Sequence, residues 1–270
     1  MHTWNWQTAN GQSYLTCSLL DPWPHGFFTR AFFPLPPAEL APILHPQAHP
    51  FRIKQVHGNQ VLGTAEVQTY WDQLSESTDT AEPLPEFPPA DGLISQDSDQ
   101  AIWVCTADCT PVLMADVRLG QVAAVHAGWR GTAAKIVPVA LTRLQNQGSQ
   151  LQDIRVAMGP AIAGSVYQVT TDVAAQVGRS VIDPNLSEKD DDTVTKQLLQ
   201  ADHPPLLADP EPGRVRLDVR RVNAMQLEQM GLLPEQIAIA PHCTYQEPDI
   251  FFSYRREQRK QVQWSGIVSR

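Results

Sequence analysis

Two apolar runs separated by a short turn constrain the fold of this chain more than any other feature. The runs are PVLMAD (111–116) and QVAAVHAG (121–128), and the VRLG segment between them contains Gly120. Apolar runs of this length around a four-residue loop predict a β-hairpin. The preceding run, AIWVCT (101–106), is apolar throughout, which is typical of a strand whose two faces are both covered.

The register of this hairpin brings a cysteine and a histidine together. If Asp116 pairs with Gln121, counting back along both strands places His126 opposite Pro111 and Cys109 just beyond that pair. Cys109 and His126 then become diagonal neighbours, with backbones about 7–8 Å apart. A separation of 17 residues in the sequence thus becomes spatial adjacency.

A second histidine, His57 in KQVHGNQV, lies at a predicted turn. Residues 51–67 are interpreted as a strand, a tight turn and a second strand, because Gly and Asn tolerate the positive φ of such turns. We predict that His57, Cys109 and His126 form one metal site. A thiolate with two imidazoles suits zinc, and three protein ligands leave a fourth position for water or substrate.

Two alternatives use the same residues. A structural zinc needs a fourth ligand, which Cys105, His242 or Cys243 could provide. A metal-free cysteine hydrolase would use Cys109 as nucleophile and His126 as base. Spacing does not decide between these alternatives and a catalytic metal.

Composition excludes several classes of partner. The 270 residues are 42% hydrophobic, which is ordinary for a globular protein, and the formal net charge is −9. The negative charge argues against a duplex nucleic acid or an anionic membrane as partner. No apolar run reaches the length of a membrane span, and the first residues lack the features of a secretory signal. Four scattered cysteines fit free thiols in a reducing cytoplasm.

Other segments give coarser expectations. The proline-dense residues 34–50 and the acidic residues 72–90 are predicted to be loops. A helix is expected over roughly 133–147, capped by Thr132. Arg130 would then lie just before a helix N-terminus, which is a natural anion site.

A further helix is predicted over 216–232, with Asp218 as its N-cap and Gly231 near its end.

At these residues the sequence resembles the bacterial YfiH/YlmD-like family, also labelled laccase-like or multicopper polyphenol oxidase. The matching stretches are HGFFTR, KQVHGNQV, ADGLIS, TADCTPVLMAD, VAAVHAGWRGT, MGPAI with VYQV, CTYQEPDIFFSYRR and QWSGI. The resemblance implies a single α/β (α+β) domain over residues 1–270. Its mixed sheets would pack with helices, as in the catalytic domain of the cytotoxic necrotising factors. The sequence departs from the family after HGFFTR, where it continues AFFPLPPAEL.

The family resemblance also implies an activity. Its members are similar to purine nucleoside phosphorylases that hold zinc through His, Cys and His, here His57, Cys109 and His126. They act on adenosine, inosine and methylthioadenosine, and they deaminate adenosine. Copper-dependent phenol oxidation and the editing of peptidoglycan precursors are further attributions. We therefore expect a cytoplasmic monomer or weak homodimer that binds a purine nucleoside and phosphate, without a nucleic acid or membrane partner.

Both reactions need groups beside the metal. Deamination needs an acid or base that moves protons, and Asp108, next to Cys109, is the candidate. Phosphorolysis needs cations that hold phosphate. The expected catalytic residues are Cys109, His126 and Asp108, and the expected substrate-binding residues are Lys54, Gln55, Arg130, Ser253 and Arg255. Multicopper oxidation fits least, because the eight histidines show no His-x-His pair.

Overall fold

The computed structural model describes residues 2–76, 85–183 and 190–270, which form three β-sheets and eight α-helices. The strands are β1 (Trp4–Ala9), β2 (Gln12–Cys17), β3 (His25–Phe28), β4 (His49–Phe51), β5 (Val61–Gly63), β6 (Gly92–Ile94), β7 (Gln100–Thr106), β8 (Thr110–Asp116), β9 (Val122–Ala127), β10 (Ile154–Met158), β11 (Gln168–Thr170), β12 (Leu206–Ala208), β13 (Arg214–Leu217), β14 (Ile237–Ile239) and β15 (Gln263–Val268). The helices are α1 (Pro37–Leu44), α2 (Thr64–Glu76), α3 (Trp129–Ala133), α4 (Ile136–Asn146), α5 (Thr171–Gly178), α6 (Asp191–Leu199), α7 (Val219–Gln229) and α8 (Tyr254–Glu257). The predicted α/β class with mixed sheets is confirmed.

Two six-stranded sheets form the body of the fold. The strand orders are β1-β2-β3-β15-β7-β4 in the first sheet and β14-β10-β8-β9-β6-β5 in the second. Their inner faces share one hydrophobic cluster, in which Phe27 and Ile102 of the first sheet meet Leu113 and Ala124 of the second. Helix α1 covers the outer face of the first sheet, and α4 and α7 cover that of the second. Because helices cover the second sheet, β8 and β9 are buried on both faces, as their apolar runs predict.

The predicted hairpin register is confirmed. Strands β8 and β9 pair antiparallel with Pro111 opposite His126, and the Asp116 amide donates to the Gln121 carbonyl at 2.9 Å. Cys109 follows β7 and directly precedes β8, so it lies at the same end of the hairpin as His126.

A small third sheet, β11-β13-β12, packs with α5, α6 and α7 around its own cluster of buried side chains. Helix α7 confirms the predicted cap, since the Asp218 carboxylate accepts from the Arg221 amide at 3.1 Å. The helix begins at Val219 and not at residue 216, because Arg214–Leu217 is strand β13.

The prediction of a loop over residues 34–50 is wrong, because α1 occupies Pro37–Leu44. Pro37 opens the helix, where a missing N–H costs no hydrogen bond, and burial of Leu40 and Ala41 stabilises it. The loop predicted over 72–90 is wrong for its first residues, since α2 extends to Glu76. Residues 77–84 of that prediction lie outside the described part of the chain.

The predicted strand–turn–strand over residues 51–67 is also wrong. Strand β4 pairs with β7 in the first sheet, whereas β5 pairs with β6 in the second. The two strands therefore belong to different layers, and the segment between them crosses from one sheet to the other. The sequence after β5 is helical from Thr64.

The single helix predicted over 133–147 consists of two helices, α3 and α4. Lys135, at φ 58°, separates them, and Pro138 lies harmlessly in the first turn of α4. Thr132 does not cap a helix, because it lies inside α3. Arg130 also lies within the five-residue α3, so the expected site just before a helix N-terminus is not formed by this segment.

In the described part of the chain, every helix is too short or too polar to cross a bilayer. The likeness to the necrotising-factor domain and the extent of one domain over 1–270 stay predictions.

Candidate metal centre

The structure brings His57, Cys109 and His126 together at one end of the β8–β9 hairpin. One ligand atom from each residue lies within 4.8 Å of the other two. The rings of His57 and His126 meet edge to face, with centroids 4.8 Å apart. His126 is buried in β9, Cys109 is partly buried, and His57 is exposed in the segment between β4 and β5. The segment that crosses between the two sheets and the β8–β9 hairpin therefore both contribute ligands to one site.

The donor set fits a metal ion with an open position. A thiolate and two imidazoles are the ligands that zinc and other borderline metals prefer. Within residues 2–76, 85–183 and 190–270, no fourth His, Cys, Asp or Glu joins the group. His242 instead pairs with Glu247 at 2.8 Å, and Cys243 Sγ accepts from the Ala163 amide at 3.3 Å. The proposed fourth ligands of a structural site are thus engaged elsewhere or lie apart from the group.

Cys109 and His126 shift the pKa values of one another. Burial raises the pKa of the Cys109 thiol, but the charge of His126 and hydrogen bonds from both histidines lower it more, to about 6. Burial lowers the pKa of His126, yet attraction to Cys109 and the hydrogen bond to Asp91 raise it to about 9. In the metal-free protein the pair is therefore thiolate and imidazolium at neutral pH.

Asp91, just before β6, is a site residue that sequence reasoning missed. It is fully buried, and its carboxylate accepts from His126 Nδ1 at 2.8 Å and from the His57 amide at 2.9 Å. Burial raises the pKa of this carboxyl, but the hydrogen bonds from His126 and from the Gly58 amide hold the pKa below its usual range. The ADG motif gives no sign of this role, since Asp before Gly is common in ordinary turns.

Two glycines leave room for the site. A Cβ atom at Gly128 would lie 2.9 Å from Cys109 Sγ and 3.7 Å from His126 Nε2. A Cβ atom at Gly131 would lie 2.9 Å from the Gly58 carbonyl oxygen. The glycines of HAGWRG therefore permit close approach, the first to the thiolate and the second to the segment that carries His57.

Asp108 is held by three donors. Its carboxylate accepts from Thr244 Oγ1 at 2.7 Å, from Ser253 Oγ at 3.0 Å and from the Arg255 amide at 2.7 Å. Asp108 also lies in the left-handed region at φ 87°. Ser253 in turn accepts from the Arg256 amide at 3.2 Å as the N-cap of α8. These bonds fix the segment that carries Arg255 beside Cys109.

Lys54 and Gln55 lie in the segment between β4 and β5 that also carries His57. The Gln55 side chain bonds both backbone groups of Cys105, donating to its carbonyl and accepting from its amide at 2.8 Å each. The side-chain amide of Gln55 thereby satisfies the backbone hydrogen bonds of Cys105, as a neighbouring strand would. Lys54 is exposed, and only its backbone takes part in a β-bridge. Their substrate-binding roles stay predictions.

Arg130 and Arg255 flank a small cavity beside Cys109. The cavity, of about 30 Å³, is lined by Cys109 together with Trp129 and Tyr167. The exposed Arg130 guanidinium lies 4.3 Å from the Trp129 ring, and that of Arg255 lies 4.9 Å from the Tyr167 ring. Burial, together with the charge of Cys109, raises the pKa of Tyr167 to about 12. Sequence reasoning missed both aromatic residues, although Tyr167 stands in the VYQV motif.

Thiol reactivity tests the polarised pair. In the metal-free protein, alkylation of Cys109 by iodoacetamide should follow a pKa of about 6 and be lost as the pH falls below it, because only the thiolate reacts. Burial raises the pKa of Cys17 and of Cys105 to about 11, so these thiols should react slowly. Site-resolved mass spectrometry across a pH series measures both. A Cys109 midpoint near the free-thiol value of about 8.5 would contradict the pairing with His126.

Known proteins are similar to this chain in sequence and in fold. A family model described as multi-copper polyphenol oxidoreductase laccase matches residues 38–269. The purine nucleoside phosphorylase slr1573 of Synechocystis sp. is 51% identical over 272 residues, which cover 98% of this chain and 97% of that protein. Adenosine deaminase RL5, from an unknown prokaryotic organism, is 30% identical over 166 residues, or 62% of this chain and 56% of that protein.

The fold is similar to the crystal structure of YlmD from Geobacillus stearothermophilus, with a TM-score of 0.76, 24% identity and coverage of 98% of each chain. Because the family model spans most of the described sheets and all three candidate ligands, the resemblance noted in the sequence is confirmed. The chain belongs to the laccase-like family of the YfiH and YlmD proteins.

Proposed function

We propose that this protein is a zinc-dependent purine nucleoside phosphorylase that acts on adenosine, inosine and methylthioadenosine, with adenosine deaminase activity. The observation that carries the proposal is the His57–Cys109–His126 group, which lies beside two exposed arginines and includes no fourth ligand among the described residues. The relatives named purine nucleoside phosphorylase and adenosine deaminase support the same reactions. The four free thiols fit the expected reducing cytoplasm.

The metal would be held by the two imidazoles and the Cys109 thiolate. Zinc in such a site acts as a Lewis acid and lowers the pKa of water. Copper also binds imidazole and thiolate, so the donors alone do not choose between the two metals. A multicopper oxidase needs further copper sites, and the described residues contain no second His, Cys, Asp or Glu group of this kind.

In phosphorolysis, a phosphate oxygen forms a bond to C1′ of the ribose while the bond from C1′ to the purine nitrogen breaks. The base leaves with the electron pair and takes up a proton, so adenosine and phosphate give adenine and ribose 1-phosphate. We assign phosphate binding to Arg130 and Arg255, since each guanidinium stacks on an aromatic wall of the cavity beside Cys109. The cavity itself holds about one water molecule, so the nucleoside would bind across its mouth.

The predicted proton transfer by Asp108 stays a prediction. The Asp108 carboxylate accepts three hydrogen bonds from the protein and so has little accepting capacity left for a substrate group. Its contacts favour a positioning role, in which Asp108 fixes the backbone of Arg255 at the edge of the site.

Loss of one phosphate-binding arginine should act on phosphate affinity. We expect Arg130→Ala and Arg255→Ala each to raise the KM for phosphate roughly tenfold or more, because a charge-assisted bond contributes about 1.5–3 kcal/mol. Arg259→Ala is the matched control. Arg259 is exposed in the segment after α8, so its substitution removes the same charge at a position outside the assigned phosphate site. Initial rates over a phosphate series measure the effect. An equal change in all three variants would show a general charge effect and contradict the assignment.

A cysteine hydrolase that edits peptidoglycan precursors is the second candidate. The thiolate–imidazolium pair of Cys109 and His126 favours it, because the same pair activates the nucleophile of cysteine hydrolases. This activity would persist after chelation and disappear on thiol alkylation. The proposed phosphorylase would lose activity under both treatments.

The proposed function is tested by following adenosine with and without phosphate. The zinc-loaded protein should form adenine and ribose 1-phosphate only when phosphate is present, and inosine and ammonia slowly in its absence. Chromatography resolves adenine and inosine from the remaining adenosine. Formation of adenine and free ribose at the same rate without phosphate would contradict phosphorolysis, since water would then be the attacking group.

A further inference from the structure

We propose that Asp91 is a positioning residue that pre-organises the metal centre by holding both histidine ligands at once. The inference rests on the metal site of the proposed function, but not on its substrate. Asp91 is fully buried, and its two carboxylate oxygens accept four hydrogen bonds. Each of these bonds leads to a metal-ligating residue or to a direct neighbour of one.

The first action of Asp91 is on the ring of His126. Oδ1 of Asp91 lies 2.8 Å from His126 Nδ1, and an ionised carboxylate only accepts hydrogen bonds. Nδ1 must therefore carry a proton, so Nε2 is the nitrogen that would bind a metal, after losing its own proton. A Cβ atom added at Gly128 would lie 2.9 Å from Cys109 Sγ and 3.7 Å from Nε2, so both atoms border the same space. The hydrogen bond thus presents the ligating nitrogen to the thiolate.

The second action is on the segment that carries His57. Three successive amides, of Val56, His57 and Gly58, donate to the Asp91 carboxylate at 3.2, 2.9 and 2.7 Å. His57 lies in the left-handed region at φ 61°, which is unfavourable for a residue other than glycine. The three bonds to one buried anion offset this cost and hold an exposed ligand in place.

Asp91 is itself fixed between the two ligand-bearing segments. Its amide donates to the Gln60 carbonyl at 2.9 Å, and its carbonyl accepts from the His126 amide at 2.8 Å. Because both its backbone and its side chain are engaged, Asp91 links the β4–β5 segment rigidly to β9. Partners of this kind orient metal ligands, and their loss typically lowers metal affinity about 10–100-fold.

Asp91→Asn isolates the effect on the ligands. Asparagine has the same size and keeps one acceptor oxygen for the amides, but its NH₂ group cannot accept from His126. His126 would then accept at Nδ1 and carry its proton on Nε2, where the metal should bind. We expect the affinity for zinc to fall about 10–100-fold, measured by competition with a chromophoric chelator.

Asp116→Asn is the matched control. Asp116 is equally buried, and its Oδ1 accepts from the amides of Arg118 and Leu119 at 2.7 and 2.8 Å in the turn at the opposite end of the same hairpin. This variant removes a similar buried carboxylate without touching the ligands. Its zinc affinity should equal that of the unaltered protein, even if its melting temperature is lower.

A second measurement needs no variant. In the zinc-loaded protein, the proposal requires the His126 proton on Nδ1 and the metal on Nε2, which long-range ¹H–¹⁵N NMR of the imidazole reports. Metal bound through Nδ1, or unchanged zinc affinity in Asp91→Asn, would overturn this inference and leave the proposed function standing. Absence of zinc binding by the unaltered protein would overturn the metal site of the proposed function, and the inference with it.

Discussion

Cys109→Ala is expected to abolish measurable phosphorolysis of adenosine and to weaken zinc binding by a few hundredfold. Zinc bound by four ligands is held by about 10–16 kcal/mol in small structural domains, so one ligand contributes roughly 2.5–4 kcal/mol. The thiolate is also the only anionic ligand of the group, so its loss leaves two neutral imidazoles. Zinc titration with a competing chelator and an adenine assay on the same preparation measure both effects.

Cys105→Ala is the control for this prediction. Cys105 lies four residues earlier at the end of β7 and outside the group of three ligands, and burial raises its thiol pKa to about 11. We expect this variant to keep its zinc and its activity, because Gln55 bonds the backbone of Cys105 and not its sulfur. Full activity of Cys109→Ala, or equal loss in both variants, would contradict the role of Cys109 as ligand.

Gly128→Ala should damage the metal centre almost as strongly, although glycine offers no ligand. Its Cβ atom would lie 2.9 Å from Cys109 Sγ, closer than a methyl group and a sulfur atom can approach. Either the thiolate moves away from the histidines or the start of α3 shifts. We expect zinc affinity to fall about 10–100-fold, as for the loss of a supporting contact, with a folded protein by circular dichroism.

Gly58→Ala is the comparison for the steric effect. This glycine also lies at the site, but the atom nearest to an added Cβ is 3.6 Å away, which is ordinary contact, and the amide bonded to Asp91 is retained. Its zinc affinity should stay within about threefold of the unaltered protein. Similar losses of zinc affinity in both glycine variants would show that the site is sensitive to any substitution. That result would contradict the crowding of Cys109 Sγ as the cause.

The part of the site that could be predicted from the sequence is the part that depends on local pairing. The register of β8 and β9 follows from two apolar runs and one short loop, and it places Cys109 beside His126. The N-cap at Asp218 is likewise a short-range signal, since the bonded amide lies three residues away. In both cases the interacting groups are close in the sequence or related by a single hairpin.

The rest depends on contacts between layers, which no local pattern encodes. The sequence predicts His57 as a ligand, but the hairpin predicted around it does not form, because β4 and β5 join different sheets. Asp91 contacts His126 and His57 across 35 and 34 residues of sequence, so its burial and its partners appear only in the folded chain. The three donors to Asp108 likewise come from distant residues, which meet it only when α8 and the segment before it pack against Asp108.

Metal content and adenine formation, measured on one sample during removal and return of zinc, test the central claim most directly. The purified protein should hold about one zinc per chain, since the three ligands form one group. Chelation should remove phosphate-dependent adenine formation in proportion to the zinc lost, and added zinc should restore it. Phosphate-dependent activity that persists in zinc-free protein, or zinc-loaded protein that never forms adenine from adenosine and phosphate, would contradict the claim.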